Sequence, residues 1–214
     1  MKLRTLTELQ TALDVESSWR KKELLDTRLH VIGTSEPAQR ALRRAAFALT
    51  YAHWEGFTKV AFEHYLAYVR TKQLKLVRLH PAFAALSISK TMRQMSGVQE
   101  ARLPAAILQL RDPGASGTLP AADAVTAKSN LNSENLIALL STFGLESTDY
   151  ATRFNWLDAT LLAGRNGIAH GRESAPSLDE YVEAVTEVLI LIEMIKNQIL
   201  NAAVDKQFEA PSLL

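Results

Sequence analysis

The residues best suited to chemistry lie in one segment near the end of the chain: Arg165, Asn166 and His170. At about 100° per residue on an α-helix, Asn166 and His170 stack four residues apart on one face, and Arg165 lies beside Asn166. An imidazole exchanges protons near neutral pH and a guanidinium binds anions, so this surface suits proton transfer next to a bound phosphate. All three residues lie away from, or at the edge of, the apolar stripe of the predicted helix, which consists of Phe154, Leu157, Leu161 and Ile168.

A structural role explains the same side chains. His170 precedes Gly171 and would be the last residue before a glycine cap, where the helix dipole favours an imidazolium, and Arg165 would cover apolar neighbours. Gly164 and Gly167 each cost about 1 kcal/mol relative to alanine inside a helix. Such a cost indicates that a partner helix or a phosphate packs closely against this backbone. The spacing alone leaves both interpretations open.

Two motifs resemble a known superfamily. The segment from Arg165 to Gly171 (RNGIAHG) resembles the Arg-Asn-x-x-x-His signature of the HEPN superfamily, the "higher eukaryotes and prokaryotes nucleotide-binding" helical domains. The segment from Tyr51 to Phe57 (YAHWEGF) is similar to the Tyr-Ala-x-Trp-Glu-Gly-Phe segment of a bacterial HEPN-like nuclease branch related to the RiboL-PSP group. The motifs are more than 100 residues apart and one long helix follows the second, which also fits that branch.

The resemblance implies a metal-independent endoribonuclease that acts as a homodimer, with the two Arg/His helices facing each other across a cleft. RNA carries its own nucleophile, so a base for the 2′-hydroxyl proton and a cation for the phosphorane suffice, leaving a 2′,3′-cyclic phosphate and a 5′-hydroxyl. In this scheme His170 is the general base or acid, Arg165 the phosphate-binding cation and Asn166 a positioning donor. The reaction needs no metal and no cofactor.

Five further residues are candidates for supporting roles. Glu55 could orient Arg165 or receive a proton, or it could form a structural ion pair. His53 could support the site or be a hydrogen-bonded residue of the bundle. Arg40, Arg43 and Arg44 could contact RNA phosphates outside the active centre, or simply form a solvated basic face.

The elements that must position these groups are all predicted to be helical. A long central helix is expected over residues 36–70, after Pro37, and the best-defined helix begins at Ser177, whose capping box with Glu180 precedes apolar residues at 3,4 spacing. Other helical patterns cover residues 1–33 as one or two helices, 72–86 around Pro81, 101–110, 133–144 and 149–170. The central stretch contains seven of the 15 aromatic residues: Phe47, Tyr51, Trp54, Phe57, Phe62, Tyr65 and Tyr68.

No alternating strand pattern occurs, so the predicted fold class is an all-α, HEPN-type helical bundle with a long central helix and a long C-terminal helix. The length of 214 residues favours a single domain over residues 1–214. Residues 112–130 contain two glycines and two prolines and are expected to form a loop, either a mobile lid or a disordered insertion. Trp19 and Trp156 are expected in the core or in a dimer interface.

Composition narrows the function classes. The absence of cysteine excludes a disulfide scaffold and cysteine-based catalysis, and no apolar run is long enough for a membrane span, so a cytoplasmic protein is expected. Residues 1–111 hold 18 Lys and Arg against 9 Asp and Glu, whereas residues 112–214 hold 6 against 14. The two halves could pair with each other, or the basic half could attract phosphate.

The sequence leaves two other function classes open. One is a non-catalytic HEPN module that binds nucleotides or RNA ends, or serves as a dimeric adaptor. The other is a helical interaction protein that uses its basic half and acidic final helix as binding faces. For the nuclease, the expected partners are RNA, a second copy of the chain, and an antitoxin or another protein of a phage-defence system that restrains its activity.

Overall fold

The computed structural model describes residues 3–94, 104, 108, 112, 114–120, 130–173 and 175–211. Six helices occupy these ranges, and no strand forms within them; the β-type pairing there consists of isolated bridges. The helices are α1 (Leu6–Gly33), α2 (Ala38–Thr71), α3 (Pro81–Gln94), α4 (Ser133–Thr142), α5 and α6 (Leu178–Val204). Helix α5 is continuous through Phe154–Trp156, a π-helical turn at Leu157–Leu162, and Ala163–Ala169. The predicted all-α class is confirmed.

Helix α2 is the centre of the bundle. It packs against α1 and α6, which also pack against each other, and α5 crosses its first half. All seven aromatic residues predicted to mark a central helix are buried. The aromatic face of α2 therefore forms the core on which the candidate site is built.

Capping residues explain where the helices begin and end. Thr5 and Glu8 form a capping box at the start of α1, which continues as one helix to Gly33. The predicted box of Ser177 and Glu180 is present at the start of α6. Gly144, which follows α4, has a φ of +67°, a backbone conformation that glycine adopts without strain.

The helical pattern expected over 72–86, with Pro81 interrupting or capping it, is divided at this proline. Helix α2 ends at Thr71, a 3₁₀ turn forms at Leu76–Arg78, and α3 begins at Pro81. A proline at this first helical position loses no hydrogen bond, because its missing N–H would have no intrahelical partner there. Of the helix predicted over 101–110, only residues 104 and 108 are described, and both are helical.

The described part of the predicted loop packs on the connection between α2 and α3. The Leu76 N–H donates to Ala115 O at 2.9 Å, the Gly117 N–H donates to Leu74 O at 3.1 Å, and Leu119 is buried. Residues 114–120 are thus part of the folded body. The rest of the proposed lid or insertion, residue 113 and residues 121–129, lies outside the described residues.

Ion pairs join the basic and acidic halves of the chain. Lys196 of α6 lies 3.1 Å from Asp14 of α1, Lys21 pairs with Glu193, and Arg78 lies 2.8 Å from Glu209. Some charged residues of each half are therefore paired with the other half. None of the described helices is both long and apolar enough to cross a membrane.

Candidate active site

Helix α5 approaches α2 closely at Gly164. A Cβ atom at this position would lie 2.7 Å from Cε1 of Phe47, which is closer than side-chain atoms normally approach. The cost of a mid-helix glycine is therefore explained by a partner helix. This close packing fixes where the next residue, Arg165, lies along α2.

Arg165 is held by three neighbours. Its Nη1 donates to Asn166 Oδ1 at 2.8 Å and to Asn130 Oδ1 at 3.1 Å. Its guanidinium carbon lies 4.9 Å from the centroid of the Tyr51 ring, within the range of a cation–π contact. The two asparagines and the ring fix the orientation of a half-buried cation.

A buried network on α2 supports this cation. The Leu131 N–H donates to the Tyr51 hydroxyl oxygen at 2.7 Å, and Lys59 Nζ lies 2.5 Å from Glu55 Oε1. Burial alone would raise the pKa of Glu55, but hydrogen bonds from Lys59 and Tyr51, with the charges of Lys59 and Arg165, hold that pKa below its usual value. Glu55 is therefore ionised at neutral pH and is a counter-charge to Arg165.

The segment that supplies Asn130 is attached to α5 by an aspartate. The Ser133 N–H donates to Asp158 Oδ1 at 2.7 Å, and the Ser133 hydroxyl donates to Asp158 Oδ2. Asn130 has a φ of +61°, a left-handed conformation that asparagine tolerates better than most residues. Residues 130–133 thus form one side of the site.

His170 lies at the C-terminal end of α5 with an exposed side chain. Gly171 has a φ of +72°, and the Arg172 N–H donates to Gly167 O at 2.9 Å, which closes the helix as a glycine cap does. The imidazole forms no hydrogen bond or ion pair with any residue that the structure describes. The helix-end position predicted for His170 is confirmed, and its imidazole is accessible to a ligand.

The structure does not bring His53 to this group. The side chain is buried against α1, where Nε2 lies 2.9 Å from Glu23 Oε2 and the Trp19 ring is 5.4 Å away between centroids. Burial lowers the pKa of His53, because it disfavours the charged imidazolium, although the charge of Glu23 opposes this shift. These contacts fit a residue of the bundle. Trp19 itself is 47% exposed, so of its two predicted places the core is excluded and a dimer interface stays a prediction.

The three arginines at the start of α2 bind the connection between α5 and α6. Each donates to a backbone carbonyl oxygen: Arg40 Nη2 to Glu173 O at 3.0 Å, Arg43 Nε to Pro176 O at 2.6 Å, and Arg44 Nη1 to Arg172 O at 2.7 Å. Arg43 is also buried, and Glu36 and Gln39 accept from its Nη1. The arginines predicted to contact RNA therefore hold the chain that follows His170.

Sequence reasoning missed Asn130, Tyr51 and Asp158 as parts of the site. Tyr51 belongs to the YAHWEGF motif, but by residue type and position it is one of the seven aromatic residues of the central helix. Asn130 and Asp158 carry no local signal, since their roles depend on which segments meet in three dimensions. Among the described residues, no group of three or more His, Cys, Asp or Glu side chains could hold a metal ion.

An all-α bundle with a clamped arginine and an exposed histidine on one short helix is the arrangement expected of a HEPN domain. The family model RiboL-PSP-HEPN matches residues 15–201, so the chain belongs to the RiboL-PSP-HEPN family. Comparisons with curated proteins and with solved structures give no match. Family membership indicates a nuclease or RNA-binding module.

Proposed function

We propose that this protein is a metal-independent endoribonuclease that cleaves RNA by attack of the 2′-hydroxyl on the adjacent phosphate. The observation that carries the proposal is the placement of a clamped guanidinium, Arg165, on the helix that ends at the accessible imidazole of His170. A fixed cation stabilises developing charge more effectively than a mobile one, because no reorganisation is needed during the reaction.

The roles of the groups follow from their contacts. Hydrogen bonds to described residues use only Nη1 of Arg165, which leaves the Nε–H and Nη2–H groups for phosphate oxygens. His170 removes the 2′-hydroxyl proton, and the charge that develops on the phosphorane is stabilised by Arg165. Asn166 orients Arg165 through its Oδ1, so it is a positioning residue for the cation. Ionised Glu55 supports the same cation electrostatically and receives no proton.

The leaving 5′-oxygen needs a proton, and one chain offers a single accessible imidazole at the site. Two copies facing each other across a two-fold axis would supply a base from one His170 and an acid from the other. We therefore include a homodimer in the proposal, which sedimentation velocity of the purified protein tests. A monomer that cleaves RNA at full rate would contradict this part.

An unrestrained RNA-cleaving activity damages the cell that produces it. We therefore extend the proposal to a toxin or phage-defence effector that a partner protein holds in check. Induced expression of the wild-type chain in a bacterial host is expected to stop growth, and the His170→Ala variant is expected to be harmless. Equal growth of both strains at equal protein levels would contradict this extension.

The test of catalysis uses purified protein with total bacterial RNA in EDTA. We expect fragments with 2′,3′-cyclic phosphate and 5′-hydroxyl ends from the wild type, and none from Arg165→Ala or His170→Ala. Two exposed residues outside the site provide matched controls, and Arg70→Ala and His30→Ala should cleave like the wild type. Intact RNA with retained RNA binding would instead support the non-catalytic module, for which the same Arg165 contacts would hold a phosphate without reaction.

A further inference from the structure

Helix α1 exposes a row of side chains on the face opposite the one it buries. The buried face, which includes Leu13, Leu24 and Val31, belongs to the contact of α1 with α2 and α6. The members of the outer row are all exposed, and they are Val15, Trp19, Lys22, Asp26 and Leu29. Three of the five are large apolar residues, and no described element covers them. The row is therefore open to a partner.

The spacing of this row is that of a coiled-coil seam. Its members follow one another at intervals of four, three, four and three residues. A mean interval of 3.5 residues keeps a row facing a partner helix when two helices wind around each other. Leu25 and Ile32, two further exposed apolar residues of α1, lie along one edge of the row and widen it. The pattern favours another helix as the partner.

The two charges at the centre of the row decide which helix fits. Lys22 Nζ lies 2.5 Å from Asp26 Oδ2 within α1, and both side chains are exposed. An exposed pair of this kind stabilises its own helix only weakly, so both charges are available for contacts across an interface. A uniformly acidic or uniformly basic partner would leave one of them opposite a like charge. A second copy of α1 that runs in the opposite direction matches both charges.

We propose that α1 docks antiparallel on α1 of a second copy of this chain, across a two-fold axis at Leu24. Lys22 then faces Asp26 of the second copy, and Trp19 faces Leu29 of the second copy. The symmetry makes each contact twice. A parallel pair would instead set Lys22 against Lys22 and Asp26 against Asp26, and these like charges repel. Polar residues within an apolar seam fix the register and the number of helices in a coiled coil in this way.

This interface lies on a different side of α2 from the candidate site. Helix α1 packs on the side of α2 that presents His53, whose Nε2 lies 2.9 Å from Glu23 Oε2. The ring of Tyr51, which contacts Arg165, is two residues earlier and thus about 200° away around the helix. The α1 contact is therefore additional to the pairing proposed at His170. It goes beyond the proposed function, because it requires no catalysis.

The test reverses one central charge at a time and measures the mass of the full chain by sedimentation velocity over a concentration series. In Lys22→Glu both facing positions are acidic, and in Asp26→Lys both are basic, so each variant repels its own copy. Each is expected to have at most half the mass of the wild-type assembly at the same concentration. An equimolar mixture of the two should return to the wild-type mass, because the two variants are complementary to each other.

Leu29→Ser tests the apolar part of the row and should cause the same loss of mass, because it removes both contacts with Trp19 of the other copy. Matched controls change exposed residues of α6: Glu183→Lys for charge and Val204→Ser for apolar surface. Both controls should keep the wild-type mass. All the substituted side chains are exposed, so helix content measured by circular dichroism should not change in any variant.

A monomeric wild type, or a mass that the α1 variants leave unchanged, would overturn the inference. So would a mixture of Lys22→Glu and Asp26→Lys that fails to reassociate, since the row would then bind something other than its own copy. The outcome is separable from that of the proposed function. A wild-type dimer that becomes a monomer in Lys22→Glu is joined through α1, whereas a tetramer that becomes a dimer keeps the pairing proposed at His170. RNA cleavage is measured independently of both.

Discussion

Replacement of Tyr51 by phenylalanine tests the buried network behind the candidate site. The substitution keeps the ring under Arg165 and removes only the hydroxyl group, which accepts from the Leu131 N–H at 2.7 Å and shares a hydrogen bond with Glu55. The Leu131 N–H would then be buried without a partner. An unsatisfied buried donor costs about 1–3 kcal/mol, so the free energy of unfolding should fall by that amount.

The assay is urea unfolding followed by circular dichroism, with thermal melting as a second measure. For a chain of this size, each kcal/mol lost lowers Tm by about 2–4 °C. Cleavage should fall less than in Arg165→Ala, because the cation–π contact survives. The loss should appear mainly in kcat, since the hydroxyl group positions the segment around the cation and touches no substrate.

Tyr181→Phe and Tyr65→Phe are the matched controls. Both hydroxyl groups are buried and, among the described residues, neither has a hydrogen-bond partner. Burial also raises the pKa of Tyr181 to about 12. Their removal should leave stability unchanged or raise it, because it relieves the cost of burying an unpaired polar group. If Tyr51→Phe is as harmless as these two, the network does not support the site as described.

Three further outcomes follow from the contacts. Gly164→Ala should lower the free energy of unfolding by about 1 kcal/mol, because overpacking against the facing phenyl ring outweighs the helix propensity gained. Gly33→Ala is the control, since no atom lies within 4 Å of the added Cβ, and it should be neutral or stabilising in the same urea titration. The pKa of His53 is lowered in the fold, so its contribution to the free energy of unfolding is complete above the unfolded pKa of 6.5 and is lost as the pH falls through that value. His53→Gln should therefore flatten the decline in stability between about pH 7.5 and pH 5.5. An unchanged slope would contradict the burial of His53 as a neutral group. Asn130→Ala removes one hydrogen bond to a charged group and should lower kcat/KM for RNA by about tenfold, while wild-type kinetics would exclude a role for this residue in fixing the arginine.

The helices that hold the site were predictable because their signals are local. The Ser177–Glu180 capping box placed the start of α6 correctly, and the aromatic content of residues 36–70 identified the buried central helix. Gly171 marked the end of α5 in the same way. Each of these features depends on residues within a turn or two of each other, which is the range over which sequence spacing is informative.

The partners of the site residues were not predictable, because they come from distant segments. Arg165 bonds to Asn130, 35 positions earlier, and stacks on Tyr51 of α2. Arg43 resembled an RNA-binding residue by charge alone, and only the structure shows that its Nε and Nη1 donate to Pro176, Glu36 and Gln39. The single-domain assignment and the roles of Arg165, Asn166 and His170 remain predictions.

The most direct test of the central claim is a single 2′-deoxy substitution in a defined RNA oligonucleotide, placed at the nucleotide whose 2′-hydroxyl would attack at the mapped cleavage site. We predict that the wild-type protein in EDTA no longer cuts at that phosphate and still cuts an otherwise identical RNA substituted one nucleotide away. Cleavage that persists at the 2′-deoxy position would show that water or another external nucleophile attacks, and would contradict the assignment of His170 as the base that activates the RNA itself.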